Sequence, residues 1–314
     1  MKQETKNGLK RVIWYVHRAG LRLGVHVLPR HYHVPVPDMD WLESHRHVWA
    51  KRSEMPGIST DVDEQVRVMR RMCLPYQQEY AGNRVHRQNL REHSGPGYGY
   101  IESQCLHAMI RAIKPGRIVE IGSGDSTQCM LAATEMNQEE GTPAARITCV
   151  EPYPKPKLRA TPGIELISRL AQEVPLDLFT SLGEGDFMFI DSSHVVQAGS
   201  DVNFLYLEVL PRLRPGVVIH IHDIYLPFDY QRNMLKTVFF WNENSLLRAL
   251  LTNNEHLRIL FCMSHIFYDR PAALKEVFPE FVQPPGDDGL QSDSLRPFET
   301  PQGHFPSSIY LKSA

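Results

Sequence analysis

Two apolar runs of the sequence each end in a pair of aspartate and histidine side chains. Asp191 and His194 close the first run in "FIDSSH", and His222 and Asp223 close the second in "VIHIHD". Carboxylates and imidazoles can exchange protons near neutral pH, and they can also bind a divalent ion. If the two runs are neighbouring parallel strands, their carboxyl ends meet at one edge of a sheet. We therefore expect proton transfer or metal binding at that edge.

Three interpretations of these side chains remain open. His222 or His194 is a general base, because an imidazole with a pKa near ~6.5 suits that task. Alternatively, Asp191, His222 and Asp223 bind a metal that does the same work. In the third interpretation, the four side chains are polar caps of strand ends without a chemical role.

A second motif, "RIVEIGSGDST" at 117–127, places a carboxylate in an apolar run and then two glycines. Glu120 needs a partner there, and Gly122 and Gly124 indicate that something approaches the backbone closely. The spacing departs from the dinucleotide pattern GxGxxG, because Thr127 occupies the third glycine position. A nicotinamide cofactor is therefore disfavoured.

Short apolar runs alternate with helical patterns from residue 117 to the end of the chain. This alternation predicts a parallel sheet covered by helices on both faces. The last two runs, "LRILFCMSHIFY" and "SSIYLKS", have no predicted helix between them, which predicts an antiparallel pair. The predicted strands are "RIVEI", "RITCVE", "IELIS", "GDFMFID", "PGVVIHIHD", "LRILFCMSHIFY" and "SSIYLKS".

The N-terminal third has a different pattern. Residues 1–30 mix apolar and basic residues at helical spacing, which fits either a helix packed on the main domain or one that contacts an anionic membrane surface. Residues 39–93 are predicted to be mostly helical. We therefore expect a helical extension over 1–95 and a catalytic domain over 96–314, with an insertion rich in proline and glycine at 269–306.

The order of these motifs resembles the class I S-adenosylmethionine-dependent methyltransferases. "EIGSG" matches the acidic residue and glycine turn of that family, and Glu151 in "TCVEPYP" matches the acidic end of its second strand. "GDFMFIDSSH" matches its fourth strand, and the resemblance covers 98–314. It implies an α/β Rossmann-like fold with a seven-stranded, mostly parallel sheet and an antiparallel last strand. More closely, the motifs look like a bacterial small-molecule or glycan-type subgroup.

The resemblance also implies a cofactor, S-adenosylmethionine, and a set of residues around it. Glu120 would bind the methionine end, Glu151 the ribose hydroxyls and Gln172 the adenine edge. Mg²⁺ or another divalent metal is a further expected cofactor. The full set expected to bind S-adenosylmethionine is Glu120, Gly122, Ser123, Gly124, Ser126, Glu151, Pro152, Gln172 and Asp191.

The expected reaction is methylation of an oxygen on a small-molecule or sugar-containing acceptor. N-methylation of a small molecule or peptide side chain is an alternative, as is a cofactor-binding module that acts through a partner without catalysis. Aromatic and polar side chains of the loops could contact the acceptor. The expected acceptor residues are Tyr98, Tyr100, His194, Tyr225, Asp229 and Tyr230.

The composition of the chain limits the classes of partner that we expect. The chain of 314 residues has 34 basic and 36 acidic residues, so its formal net charge of -2 gives no reason to expect nucleic acid. Five cysteines without CxxC spacing predict reduced thiols and a cytoplasmic protein. No apolar run is long enough to span a bilayer. A homo-oligomer is compatible with the sequence.

Overall fold

The structure, a computed structural model, describes residues 3–82, 87, 98–284, 289–299 and 301–314. The described residues belong to two compact units, Met1–Trp49 and Ala50–Ala314. The predicted domain boundary at residue 95 lies outside the described residues. The division into a 1–95 extension and a 96–314 catalytic domain therefore stays a prediction.

The first unit is helical. Helix α2 begins where the side chain of Asp38 accepts a hydrogen bond from the backbone N–H of Trp41 at 3.2 Å, which satisfies one of the free amides of the first turn. The helices of this unit are α1 (Gln3–Arg22), α2 (Met39–Ser44) and α3 (Arg46–Trp49).

The second unit is built on a sheet in which the described residues form seven strands. The strand order is β3-β2-β1-β4-β5-β7-β6, with β7 antiparallel to both of its neighbours and the other pairs parallel. The fold class predicted from the sequence is thereby confirmed. The strands are β1 (Arg117–Ile121), β2 (Arg146–Val150), β3 (Ile164–Ile167), β4 (Phe187–Ile190), β5 (Val218–His222), β6 (Leu257–Cys262) and β7 (Ser308–Ser313).

The central strands are apolar throughout because both faces of the sheet are covered. Successive residues of β4 face opposite sides, so Phe187 and Phe189 enter one core while Met188 and Ile190 enter the other. All four side chains are fully buried. This buried centre fixes the position of the polar residues that follow β4.

Helices cover both faces of the sheet. Residues of α4, including Met69 and Cys73, pack into the same core as β1 and β4. The helices of the second unit are α4 (Val62–Cys73), α5 (Gln77–Tyr80), α6 (Tyr100–Ile113), α7 (Asp125–Glu139), α8 (Pro156–Ala160), α9 (Asp177–Thr180), α10 (Asp201–Phe204), α11 (Glu243–Leu251), α12 (Met263–Asp269) and α13 (Pro271–Val277).

One predicted element differs from the structure. The run "LRILFCMSHIFY" is not a single strand, because β6 ends at Cys262 and α12 begins at Met263. Met263, Ile266 and Phe267 are spaced as one helix face and all are buried, so the helical period prevails over the apolar run. The expectation that no helix separates the last two strands is therefore wrong, although β6 and β7 do pair antiparallel.

The order of the strands reverses between β1 and β4, which is where ligands bind in open α/β sheets. The glycine turn after β1 and the polar residues after β4 and β5 lie at this edge. In the part of the chain that the structure describes, no helix has the length and apolar character needed to cross a membrane.

Candidate functional site

The glycine turn lies directly against the end of β4. Asp191 donates its backbone N–H to the carbonyl of Ile121 at 2.9 Å. Gly122 has φ +75, and a Cβ added there would lie 1.9 Å from the carbonyl oxygen of Asp191. Only glycine fits this position, because both the backbone angle and the close approach exclude a side chain. A Cβ added at Gly124 would meet nothing within 4 Å, so the space over the turn is open.

Glu120 is fully buried and faces the start of α7. Its carboxylate accepts hydrogen bonds from Ser126 Oγ at 2.6 Å and Thr127 Oγ1 at 2.7 Å, and from Cys149 Sγ at 3.2 Å. Burial raises the pKa of Glu120 to about 7, against the opposing effect of these hydrogen bonds. Glu120 and Ser126 thus join β1 to α7 beneath the turn.

The contacts of Thr127 explain why the third glycine of the GxGxxG pattern is replaced here. Its Oγ1 accepts a hydrogen bond from the backbone N–H of Gly124 at 3.0 Å and donates to Glu120. A glycine could do neither. The threonine therefore fixes the turn and the start of the helix at the same time.

Glu151 lies beside the turn, at the end of β2. Its carboxylate accepts from the backbone N–H of Ser123 at 3.2 Å and of Tyr153 at 2.8 Å. Glu151 and Pro152, which follows it, are both partly exposed. Each carboxylate oxygen can accept more than one hydrogen bond, so Glu151 still has capacity for a ligand above the turn.

Gln172 follows β3, later in the sequence than Glu151. Its side-chain amide donates to the carbonyl of Gly199 at 2.7 Å, while its Oε1 is buried without a hydrogen-bond partner. The unpaired Oε1 is compatible with the predicted contact to the adenine edge, which stays a prediction.

The Asp and His residues after β4 and β5 come together as the sequence predicts; we call Asp191, His194, His222 and Asp223 the acidic corner. Asp191 Oδ1 lies 3.3 Å from His194 Nε2 and 3.4 Å from His222 Nδ1. Asp223 Oδ2 lies 3.6 Å from His194 Nε2 and 3.5 Å from His222 Nδ1. Both imidazoles therefore direct a nitrogen to both carboxylates.

Three side chains of the corner are close enough together to be candidate metal ligands. One ligand atom each of Asp191, His194 and Asp223 lies within 4.8 Å of the others. The other oxygen of Asp223 is occupied, because Oδ1 accepts from Ser307 Oγ at 2.9 Å and from Tyr225 OH at 3.1 Å. These hydroxyls hold Asp223 so that Oδ2 faces the corner.

His194 has a buried carboxylate behind it. Its Nδ1 lies 2.8 Å from Glu243 Oε2, and Ser192 Oγ donates to Glu243 Oε1 at 3.2 Å. Glu243 stands in the first turn of α11, which is fixed to the site because Asn242 donates its backbone N–H to the carbonyl of His194 at 3.0 Å. The remaining ring nitrogen of His194 is thereby directed to the corner.

His222 has a similar partner. Its Nε2 lies 3.1 Å from Glu102 Oε1, although the angles do not make this contact a hydrogen bond. Glu102 Oε1 accepts from the backbone N–H of Ser307 at 2.9 Å and from Ser308 Oγ at 3.1 Å. The base of the corner is therefore a buried network of Glu102, His222 and the start of β7.

The charges of the corner shift its pKa values strongly. Burial alone would raise the pKa of Asp191, but the imidazoles of His222 and His194 hold it well below its usual range. Burial alone would lower the pKa of His194, but hydrogen bonds to Asp191 and Glu243 raise it to about 10. The pKa of His222 is likewise raised, against burial, by the charges of Asp223 and Glu102.

His220 is not part of the corner, although it shares a strand face with His222. It is fully buried, its ring stacks on Phe189 at 4.6 Å, and burial holds its pKa well below the usual value. Tyr98 lies in the same core, with its hydroxyl 3.3 Å from His220 Nε2. These side chains support the corner from below.

The other predicted acceptor residues have partners within the protein. Tyr100 donates to the carbonyl of Glu280 at 2.8 Å, and Asp229 forms an ion pair with Arg248. Tyr230 is buried. Their contact with an acceptor stays a prediction.

Neither Glu102 nor Glu243 is predicted from the sequence to be a partner of the corner, although the segment around Trp241, Asn242 and Glu243 is a candidate for the acceptor pocket. Glu102 and Glu243 each stand in the first turn of a helix, where acidic residues are common for the helix dipole alone. Their position in the sequence therefore gave no signal. The Trp241 ring lies 4.5 Å from that of His194.

Comparisons with known proteins agree with this architecture. Residues 119–224 match the family model described as a methyltransferase domain. A stretch of 90 residues is 37% identical to an uncharacterized protein of Archaeoglobus fulgidus, and it covers 27% of this chain and 38% of that protein.

Two solved O-methyltransferases are distant structural relatives. The enzyme from Bacillus cereus, in complex with S-adenosylhomocysteine, is 16% identical with a TM-score of 0.40, covering 61% of this chain and 90% of that one. TomG from Streptomyces achromogenes, in complex with S-adenosylmethionine, is 14% identical with a TM-score of 0.37, covering 64% and 82%. The match to the methyltransferase domain runs from β1 to just after β5, and so includes the glycine turn and the acidic corner.

Proposed function

We propose that the protein transfers the methyl group of S-adenosylmethionine to a hydroxyl oxygen of a small-molecule or sugar-containing acceptor, at the acidic corner. The observation that carries the proposal is the convergence of two carboxylates and two imidazoles beside the glycine turn. An acceptor hydroxyl placed there lies next to groups that can take its proton, and next to the turn expected to hold the methyl donor.

The backbone at the corner supports a functional role. His194 has φ 60 and Asp223 has φ 55, so both residues adopt the left-handed conformation that side chains other than glycine avoid. Such strain persists where the surrounding structure holds it, and it is common at active sites. The capping of two strand ends does not require two residues in this conformation with their side chains in contact.

The donor set of the corner fits a divalent metal. Asp191, His194 and Asp223 would hold the ion, and a mixed set of carboxylates and one imidazole suits Mn²⁺ as well as Mg²⁺. Four carboxyl groups, including Glu102 and Glu243, surround two imidazoles, so acidic groups outnumber basic ones. A dication would balance this excess. When bound, it would lower the pKa of the acceptor hydroxyl.

If no metal is bound, His194 is the side chain best placed to take the acceptor's proton, because its Nε2 cannot bind a metal and a proton at once. Glu243 holds Nδ1 and leaves Nε2 directed to the corner, which is the arrangement of a base oriented by a carboxylate. His222 is the other candidate base, but its Nε2 faces the buried Glu102 and its Nδ1 faces Asp191 and Asp223. We assign His222 the task of fixing Asp191 and Asp223.

An aromatic side chain beside the corner suits an acceptor with an apolar or ring surface. The Trp241 ring packs beside His194, with the ring centroids 4.5 Å apart. Exposed aromatic rings bind sugar and aromatic faces well. The tyrosines expected to do so have their own partners, so we place the acceptor against Trp241 instead.

The proposal is tested with S-adenosylmethionine labelled with ¹³C in its methyl group. The protein is dialysed against a chelator and assayed with a panel of phenols, catechols and glycosides, with and without Mg²⁺ or Mn²⁺. A methoxy carbon signal that needs the added metal, and that Asp223→Asn abolishes, supports the proposal. An N-methyl signal would identify the alternative reaction. Tight binding of S-adenosylhomocysteine without turnover of any panel member would favour the non-catalytic module.

A further inference from the structure

The first unit carries a long stretch of one charge. Between Glu4 and Asp38 the sequence has no acidic residue, whereas it has six basic ones. Arg11, Arg18 and Arg22 are spaced by seven and four residues on α1, so they share one side of the helix. The basic residues of this stretch are Lys6, Lys10, Arg11, Arg18, Arg22 and Arg30.

An apolar face adjoins this basic side. Leu9, Val12 and Val16 are spaced by three and four residues and therefore also share a face of α1. Their side chains are 53%, 58% and 48% exposed. Tyr15 lies between the two faces and is 66% exposed. Exposure of aligned aliphatic side chains to water is unfavourable, so contact with an apolar environment would stabilise this face.

The segment after α1 enlarges the apolar face. The chain turns back at Gly20, where an added Cβ would lie 2.7 Å from the carbonyl oxygen of Val25, so the return runs against the helix. Leu23 is 82% exposed and Val25 is 54% exposed. Leu23 and Val25 thus add exposed aliphatic side chains to this unit, and together with Leu9, Val12 and Val16 we call them the N-terminal surface.

We infer that the N-terminal surface docks on an anionic lipid bilayer. Apolar side chains on one face of a helix with arginines beside them are the pattern of a helix that lies in the membrane interface, with its apolar face among the acyl chains and its cations at the headgroups. Nucleic acid would use the arginines but has no environment for Leu9, Val12 and Val16. The bilayer accommodates both features, and this inference does not depend on the proposed reaction.

The test is flotation of the full chain with vesicles. Vesicles of phosphatidylglycerol and phosphatidylcholine in equal amounts should carry the protein, and vesicles of phosphatidylcholine alone should carry far less of it. Arg11→Gln with Arg18→Gln should weaken partitioning about 25-fold, since each cation near an anionic surface contributes about fivefold. Added salt should weaken it as well.

Two further variants separate the alternatives. Val12→Gln with Val16→Gln keeps every charge. It should weaken partitioning by more than about tenfold, because two aliphatic side chains that would insert among the acyl chains are lost. The matched control, Arg214→Gln with Arg258→Gln, removes the same charge from exposed positions of the second unit and should bind like the wild type. Each variant should bind S-adenosylhomocysteine unchanged, which shows that it is folded.

Three outcomes would overturn the inference. Equal partitioning to both vesicle types would show that no anionic surface is recognised. Loss of binding in the arginine pair but not in the valine pair would identify a site for polyanions such as nucleic acid. Absence of flotation by a protein that binds S-adenosylhomocysteine would show that the apolar face is covered by another part of the chain or by a second copy. None of these results bears on methyl transfer.

Discussion

Glu243 provides the sharpest test of the corner, because it touches His194 without belonging to the candidate ligand set. Glu243→Gln keeps the shape of the side chain and removes its charge. The contact to His194 Nδ1 at 2.8 Å then becomes a neutral hydrogen bond, or a clash of two donors if the amide faces the ring. A charged hydrogen bond contributes about 1–2 kcal/mol more than a neutral one, so we expect roughly a tenfold loss of affinity for a metal held by His194.

The assay needs no acceptor. Mn²⁺ is titrated into the protein in the presence of S-adenosylhomocysteine, and the free ion is measured by electron paramagnetic resonance. Asp223→Asn removes a proposed ligand and should abolish binding. Ser192→Ala removes the other hydrogen bond to Glu243 but no charge, and should change the Mn²⁺ affinity less than about threefold. The affinity for S-adenosylhomocysteine should be the same in all three variants.

Two results would refute this reasoning. If Glu243→Gln binds Mn²⁺ as the wild type does while Asp223→Asn does not, the carboxylate does not orient His194. If the wild type itself binds no Mn²⁺, and Mg²⁺ displaces none, the metal interpretation fails. The histidines must then be tested as bases without a metal.

Three further predictions concern the glycine turn and its carboxylates. Glu151→Ala should weaken S-adenosylhomocysteine binding by about 2 kcal/mol in calorimetry through the loss of charge-assisted hydrogen bonds. Glu208→Ala, at an exposed position of a helical segment, should not weaken it, and equal affinities of the two variants would remove Glu151 from the site. Gly122→Ala should lower the free energy of unfolding by on the order of 3 kcal/mol, because its Cβ would meet the carbonyl of Asp191, and a wild-type urea midpoint would contradict that contact. The raised pKa of Glu120, about 7 in the folded state against about 4.5 unfolded, contributes stability that is fully present below pH ~4.5 and lost as the pH rises through ~7. Between pH 4 and pH 8 the wild type should therefore lose about 3 kcal/mol of unfolding free energy relative to Glu120→Gln, which cannot titrate at this position. A difference between the two proteins that stays constant with pH would show that Glu120 titrates normally.

Much of the sheet could be predicted because its signals are local. Each parallel strand is a short apolar run bounded by turn residues, and helix α10 begins at Ser200, whose side chain accepts from the backbone N–H of Asn203 as its position suggests. The boundary between β6 and α12 could not be predicted as easily. A continuous apolar run fits both a buried strand and a buried helix, and only the packing of Met263 and Ile266 on α4 and β7 decides between them.

The site divides in the same way. Strand order brings Asp191 and the turn at Gly122 together, so any sequence pattern that gives the strands also gives their meeting point. The partners Glu102 and Glu243 lie on helices distant in the chain, and their contacts with His222 and His194 follow from the packing of α6 and α11 on the sheet. No local pattern encodes such contacts, because they depend on how two elements are oriented in space.

The pair His222 and Asp223 shows why backbone geometry decides what a motif can do. Adjacent residues of an extended strand point to opposite faces, so the sequence predicts that these side chains diverge unless the strand ends there. The strand β5 does end at His222, and the left-handed conformation of Asp223, with φ 55, turns its carboxylate back to within 3.5 Å of His222 Nδ1. The hydroxyls of Ser307 and Tyr225 hold it in that position. Ser307→Ala should therefore weaken Mn²⁺ binding about threefold to tenfold without altering the affinity for S-adenosylhomocysteine, because one of two hydrogen bonds that fix Asp223 is lost. Unchanged Mn²⁺ binding in this variant would mean that Ser307 does not help to position the carboxylate.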